Sequence, residues 1–370
     1  MDFKFSKEHE EFREKARNFG KKEFTNDRKV HFDSEEKYPE ELRKLAYESG
    51  LVTYSDPWKV LIAIEELCAI DPGLGIASTI PYFGAEVLLL FGSDLLKEKY
   101  LGRINEGKAI MGLAVTEPSG GSDVAGCRTK AERKGNKYVV NGSKMFISNG
   151  NIADFLITLV RTSDADPKRH HGLSVLVIDT SSPGFKATKL TGKLGVRATT
   201  TSEIVFENVE VPEENLVGEV GKGFYYIMTF FNISRVFVAA QGVGVAQGAF
   251  NRALEIAKSR GEKFSGREDV QFILAEMATK IKAARTLTLE AASYLFNFEP
   301  NPTVTSMAKQ LAGETAVYVA EKALELAGIE AVNSDLERIF RDAKILEIWE
   351  GTSEIEKLVI SRNLLKGEAF

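Results

Sequence analysis

Three stretches of this chain hold residue types that could carry chemistry. Glu350 stands in Ile348-Trp349-Glu350-Gly351-Thr352-Ser353-Glu354, a carboxylate after an apolar turn and before a glycine break. Set against a pocket, such a carboxyl loses hydration, its pKa rises, and it becomes a usable proton acceptor. At a solvated helix end it is only a surface charge. The second stretch, Ala114-Val115-Thr116-Glu-Pro-Ser-Gly-Gly121-Ser122-Asp123, joins a hydroxyl, a proline-fixed turn and paired glycines. It can crowd backbone N–H groups around an electron-rich ligand, or be a plain turn entering a strand. The third, Lys144-Met145-Phe146-Ile147-Ser148-Asn149-Gly150, sets a flat aromatic beside a hydroxyl at a strand end. That suits stacking on a planar group and hydrogen bonding to a ring nitrogen. The other reading is a core Phe before an Asn-Gly turn.

The elements that must position these residues change texture twice. Helical periodicity runs from Phe3 to about Gly107, with Phe5, Phe12, Ala16 and Phe19 on one face. Short β-runs follow at Lys137–Val140, Ala153–Val160, Leu173–Ile178 and Glu203–Phe206, bounded by Asn-Gly and Ser-Pro-Gly turns. Helices return at Phe224–Lys258, Val270–Phe296 and Thr303–Leu326, with shorter ones around Asp335–Trp349 and Ser353–Leu365. The expected fold class is α+β in three domains, 1–109, 110–215 and 216–370, because blocks of helix and sheet argue against alternating βα units. Gly242-Val-Gly244-Val-Ala-Gln-Gly248 has the look of a dinucleotide loop, but it lies inside a helical run with no strand before it. Small residues spaced i, i+4 there predict close helix packing. Ser353-Glu-Ile-Glu356 reads as a capping box, which aims a helix N-terminus at whatever anion lies nearby.

Composition sets the outer bounds. The 370 residues are 44% hydrophobic and 27% charged, with a net charge of −5, so no nucleic-acid surface is expected. Cys68 and Cys127 stand far apart in no metal or redox spacing, and His9, His31, His170 and His171 form no helical pair, so no metal is expected. The stretch Asp164–Gly172 reads as a surface loop. Met1–Lys4 carries no apolar signal core, and no uncharged apolar run reaches membrane-spanning length. A cytoplasmic protein without a membrane partner is the expectation.

Taken in order, these motifs resemble those of the acyl-CoA dehydrogenase family, and its medium- and short-chain branch in particular. The resemblance runs from Phe3 to about Leu365. It is most specific in Ala114–Asp123, Tyr138–Gly150, Lys193-Leu-Gly-Val-Arg197, Arg341-Asp-Ala-Lys344 and Trp349–Glu354. It implies an N-terminal helical domain, a middle β-barrel and a C-terminal four-helix bundle. It implies FAD-dependent α,β-dehydrogenation of a saturated acyl-CoA to trans-2-enoyl-CoA, with Glu350 as the α-proton base and the hydride passing to flavin N5. Leu113, Val115, Thr116, Gly121 and Ser122 would then face the flavin, with Phe146 stacked on it where the family usually has Trp. Ile147 and Ser148 would lie beside the ring, and Thr352, Ser353 and Glu354 would hold the ribityl–adenine tail. Ser122, Asn232, Arg235 and Gly351 would meet the substrate. Some relatives place their base one residue before the Arg of the long helix, and here that residue is Ser234, which cannot serve.

The resemblance also implies a homo-oligomer, with a tetramer favoured, and an electron-transfer flavoprotein as electron acceptor. An oxygen-using acyl-CoA oxidase, or a catalytically weak FAD- or acyl-CoA-binding subunit of a hetero-oligomer, are the alternatives. The sequence departs from the family at three places. Leu51–Asp56 is shortened, Arg260–Gln271 has altered spacing, and Leu324–Gly328 replaces a motif that contacts the partner's flavin. These departures predict weaker or differently held FAD. Gly75 stands where a glutaryl-specific relative has Arg, which argues against a dicarboxylyl substrate.

Overall fold

The computed structural model describes residues 5–53, 56–164 and 168–367. Expectations resting on Met1–Lys4, on the middle of Leu51–Asp56 and on 165–167 of the polar loop lie outside the described residues. Helices come first: α1 (Lys7–Glu23), α2 (Asn26–Ser34), α3 (Glu40–Glu48), α4 (Pro57–Ile70), α5 (Pro72–Thr79), α6 (Ala85–Phe91), α7 (Asp94–Leu96) and α8 (Gly102–Asn105). After the strands come α9 (Gly223–Ser259), α10 (Glu262–Ser265), α11 (Glu268–Phe296), α12 (Pro302–Ala327), α13 (Leu336–Ala343) and α14 (Ser353–Leu365). The chain divides into two compact units. One gathers Met1–Thr79, Lys193–Ala198 and Asn232–Phe370; the other gathers Ile80–Gly192 and Thr199–Phe231.

The helical unit is held by small residues and by buried ion pairs. Asp56 caps α4 by accepting from the Trp58 and Lys59 amides, with Pro57 in the first turn. Gly244 and Gly248 of α9 lie so close to α4 that a Cβ would stand 2.4 Å from the Glu65 carbonyl oxygen and 2.3 Å from that of Ala69. The glycine pattern is therefore a packing seam, and no nucleotide loop forms. Asp71 pairs with Arg338 at 3.1 Å, and Asp33 with Arg341 at 2.8 Å. The motif Lys193–Arg197 docks on Arg341-Asp-Ala-Lys344, where the Val196 amide donates to Asp342 Oδ1 at 2.5 Å and Arg341 donates to the Leu194 carbonyl. Burial, with Asp71 nearby, pushes the Asp342 carboxyl up to about 8. α9 is long and apolar enough to cross a membrane, but 67% of its most apolar window is buried inside the protein.

The second unit is built on one sheet: β1 (Met111–Ala114), β2 (Lys130–Lys134), β3 (Lys137–Ser148), β4 (Phe155–Arg161), β5 (Leu173–Asp179), β6 (Phe185–Lys189), β7 (Thr201–Pro212) and β8 (Leu216–Val217). The order is β6-β7-β3-β2-β4-β5-β8, with β1 parallel to β4. β4 and β5 are buried almost throughout, as their continuous apolar runs require. β3 and β7 run well beyond the predicted four-residue cores, through irregularities at Val140/Gly142 and Lys144/Ile147. β2 and β6 were not foreseen: β2 is mostly charged and β6 only half-buried, so neither carries an apolar stripe strong enough to read.

Candidate active site

The sheet unit brings two of the three sequence stretches together. β1 pairs with β4 on one side and meets the end of β3 on the other, where a Cβ at Gly112 would stand 2.5 Å from the Ser148 carbonyl oxygen, so only glycine lets the β1 and β3 backbones come this close. The Met145 amide then donates to the Thr116 carbonyl at 2.9 Å. Beneath, Lys144 is fully buried and donates to the Val115 carbonyl and Glu117 Oε1, both at 3.0 Å. Burial works against the Glu117 charge. The Lys144 ammonium and donors from Thr129 and Arg128 outweigh it and hold the carboxyl at about 2. This ion pair locks the Thr116 turn to the strand that ends in Ser148.

Phe146 is turned outward by a bulge. Between Lys144↔Ile204 and Ile147↔Ser202, two residues of β3 face one of β7, and Phe146 takes φ +60. It is 67% exposed, which rules out the core-Phe reading. Thr116 and Ser148 are half-buried, and Gly121 and Ser122 are exposed. Leu113, Val115 and Ile147 are buried, so they offer backbone and not side chain to a ligand. Behind the turn, Gly120, Gly121, Asp123, Cys127 and Arg169 line a cavity of about 150 Å³. Cys68 and Cys127 are both free and buried.

The helical unit builds the third stretch. Glu350 has φ +56 and Gly351 φ +110, a left-handed turn that costs an L-residue of order 1–3 kcal/mol. Ser234 Oγ donates to Glu350 Oε2 at 2.5 Å, and Arg235 Nε donates to the Glu350 carbonyl at 3.0 Å. Loss of hydration dominates and pushes the Glu350 carboxyl up to about 7, with Ser234, Arg235 and Lys309 pulling the other way. Ser234 is therefore the hydrogen-bond partner of Glu350. Arg235, expected along the substrate, is buried beneath this turn, its Nε also 3.0 Å from Glu356. Asn232 and Gly351 are half-buried.

The cap of α14 corrects one expectation. Thr352, not Ser353, is the N-cap, accepting from the Ile355 amide at 3.3 Å. The capping box does not form, because Glu356 is buried toward Arg235 and does not reach back. Ser353 Oγ is buried with no partner among the described residues, and Glu354 is exposed. Lys309 escaped the sequence reading, and Glu356 was read only as a capping-box residue and not as a buried partner of Arg235. Lys309 lies on the stripe Ala308, Ala312, Ala316 of α12, a signal that could have marked it as buried. At the departures, Arg260 donates to the carbonyls of Leu326 and Ala327 at 2.7 and 2.6 Å, closing the end of α12. A Cβ on Gly75 would stand 2.8 Å from the α4 backbone, so no side chain fits there.

Comparison with known proteins now has a geometry to rest on. The models of the acyl-CoA dehydrogenase N-terminal, middle and C-terminal domains match residues 6–108, 112–209 and 221–365. The chain belongs to the acyl-CoA dehydrogenase family. It is 36% identical over 372 residues to an acyl-CoA dehydrogenase of Bacillus subtilis, covering 96% of this chain and 97% of the relative. Its structure is similar to butyryl-CoA dehydrogenase from Megasphaera elsdenii, with a TM-score of 0.91, 32% identity and 99% and 100% of the two chains covered. It is similar also to a chain from work on the electron transferring flavoprotein of Acidaminococcus fermentans and flavin-based electron bifurcation, with a TM-score of 0.94, 34% identity and 99% and 100% covered. Family membership makes this acyl-CoA dehydrogenase an FAD oxidoreductase, with helical N- and C-terminal domains around a middle sheet domain in sequence. Each unit, taken by itself, holds groups of a kind that suit such a cofactor: in the sheet unit an exposed aromatic, half-buried hydroxyls at Thr116 and Ser148 and an exposed glycine turn, and in the helical unit an orphaned buried hydroxyl at the start of a thirteen-residue helix.

Proposed function

We propose that this enzyme oxidises a saturated acyl-CoA thioester to trans-2-enoyl-CoA, with Glu350 removing the α-proton. The supporting observation is the Glu350 carboxyl, poised near 7 on a turn held in the left-handed region. A base with a pKa near the working pH combines adequate ionised fraction with adequate proton affinity. Ser234 fixes the carboxyl by one hydrogen bond and leaves its second oxygen for the proton. The Glu350 amide is assigned as a donor to the thioester carbonyl, where one such donor contributes roughly 3–4 kcal/mol to the developing enolate.

When bound, FAD supplies the acceptor for the hydride from the β-carbon. Thr116, Phe146 and Ser148 would hold its ring, assisted by Gly121 and by the backbone of Leu113, Val115 and Ile147. Thr352, Ser353 and Glu354 would hold its tail. Ser122 and Asn232 are the proposed contacts to the CoA arm, with Gly351 beside the thioester and Arg235 acting through the turn. Electron-transfer flavoprotein is the proposed acceptor, a cytoplasmic β-oxidation step the proposed setting, and a homotetramer the proposed assembly.

The test is an anaerobic titration of the yellow protein with acyl-CoA esters from butyryl to palmitoyl. Wild type bleaches; Glu350→Gln keeps its flavin and loses about 10²–10⁴-fold in reduction rate. Bleaching of the variant at wild-type rate would remove Glu350 from the mechanism. Stoichiometric peroxide during aerobic turnover would replace the dehydrogenase reading with an oxidase.

A further inference from the structure

Both carbonyls of the left-handed turn are taken by buried cations on different helices. Arg235 of α9 donates to the Glu350 carbonyl at 3.0 Å, and Lys309 of α12 donates to the Gly351 carbonyl. Lys309 is fully buried, as is Glu356 of α14. A buried ammonium persists only with compensating charge and acceptors. Glu356 supplies the charge, with Oε1 3.0 Å from Arg235 Nε. The same oxygen would stand 2.1 Å from a Cβ at residue 351, so Glu356 can occupy this place only because residue 351 is glycine. With all four groups ionised, Arg235, Lys309, Glu350 and Glu356 sum to zero charge.

We propose that Lys309 is a positioning residue for Glu350: with Arg235 it clamps the left-handed turn from beneath, and Glu356 is the counter-charge that sets how strongly the clamp favours the ionised base. This rests on the reading of Glu350 as base. The groups facing Glu350 are Ser234 and Arg235 from α9, Lys309 from α12 and Glu356 from α14, while Glu347, just before the turn, acts on Lys309. Their signs differ. Arg235 and Lys309 pull the Glu350 carboxyl down, and Glu356 pushes it up. Burial lowers the Lys309 ammonium to about 8, so in wild type most of its charge is present at the Glu350 midpoint and fades as pH rises through 8. A lysine serving only to fill α12 would leave the titration of Glu350 where it was.

The experiment is the pH profile of anaerobic flavin reduction in wild type, Lys309→Met, Lys309→Arg and Glu356→Gln. The infrared carboxyl band of Glu350 is titrated in the resting holoenzyme without substrate, assigned by its loss in Glu350→Gln. Lys309→Met moves the acid midpoint up by about one pH unit, a loss of about fivefold at pH 7 that is recovered at pH 9. Glu356→Gln moves it down, and Lys309→Arg returns it toward wild type. Unchanged midpoints in both the Met and Gln variants overturn the clamp. If Lys309→Met does not fold, Glu356→Gln decides alone, and a midpoint that fails to fall is the overturning result. Reduction of Glu350→Gln by substrate sinks the base reading instead, and the infrared shifts then judge the clamp separately.

Discussion

Glu117 in the sheet unit and Glu350 in the helical unit are both enclosed acids near a fully buried lysine, yet they are driven in opposite directions. Glu117 receives Lys144 directly, with the Thr129 hydroxyl and the Thr129 and Arg128 amides, and is held at about 2. Glu350 receives one serine hydroxyl, while the nearby cations spend their hydrogen bonds on backbone carbonyls, and it rises to about 7. What separates a structural acid from the proposed base here is where the donors point. Saturating a carboxylate fixes a fold; leaving it short of donors keeps it able to take a proton.

The comparison breaks most visibly at Lys144. Lys144→Met strands the Glu117 carboxylate in the interior, with an expected cost of about 3–5 kcal/mol in chemical denaturation. A smaller loss would mean that the amides alone suffice. The two acids should also mark opposite pH windows. Glu117 lies below its ordinary 4.5, so its contribution is present above 4.5 and lost as pH falls toward 2. Glu350 lies above 4.5, so its contribution is present below 4.5 and lost as pH rises through 7. Each window spans about 3 kcal/mol. Glu350→Gln should therefore gain stability over wild type between pH 4.5 and 7, and a flat difference across that range would contradict the assignment.

Ser234→Ala removes the one side-chain donor to the Glu350 carboxylate among the described residues and should raise the acid midpoint of flavin reduction by about 1 pH unit. The smallest stability effect is expected at Phe146. Phe146→Gly relieves the positive φ and exposes nothing, so stability should hold or rise by up to about 1 kcal/mol while flavin retention on dialysis falls. Unchanged retention would take Phe146 out of the cofactor site.

Much of this was legible in the sequence, because long apolar stripes fix helices and continuous apolar runs fix central strands. The long helices of the last third were read to within a residue or two, as at Gly223–Ser259 against a predicted Phe224–Lys258, whereas the short α10 was not foreseen and the helix expected around Asp335–Trp349 ends at Ala343. β1, β2, β6 and β8 were not foreseen: β2 carries mostly charge, β6 is only half-buried, and β1 and β8 have four and two residues, so none has a period to read. Glu350 was visible from its flanks. Its supports were not, since Ser234, Lys309 and Glu356 reach it from three different helices, and spacing along one helix says nothing about a partner on another. The cap was misplaced by one residue because Thr352 and Ser353 are equally good N-caps by type, and the burial of Ser353 and Glu356 made the choice.

The helical unit takes its residues from three separated segments, whereas the sheet unit is supplied in full once Phe231 has been added. During synthesis the helices before Thr79 must therefore wait for α13, with Asp71 lacking Arg338 and Asp33 lacking Arg341 until that helix has emerged. A chain that stops short of α13 leaves those carboxylates without their arginines. Nonsense or frameshift products interrupted before α13 should be cleared by quality control before they could accumulate.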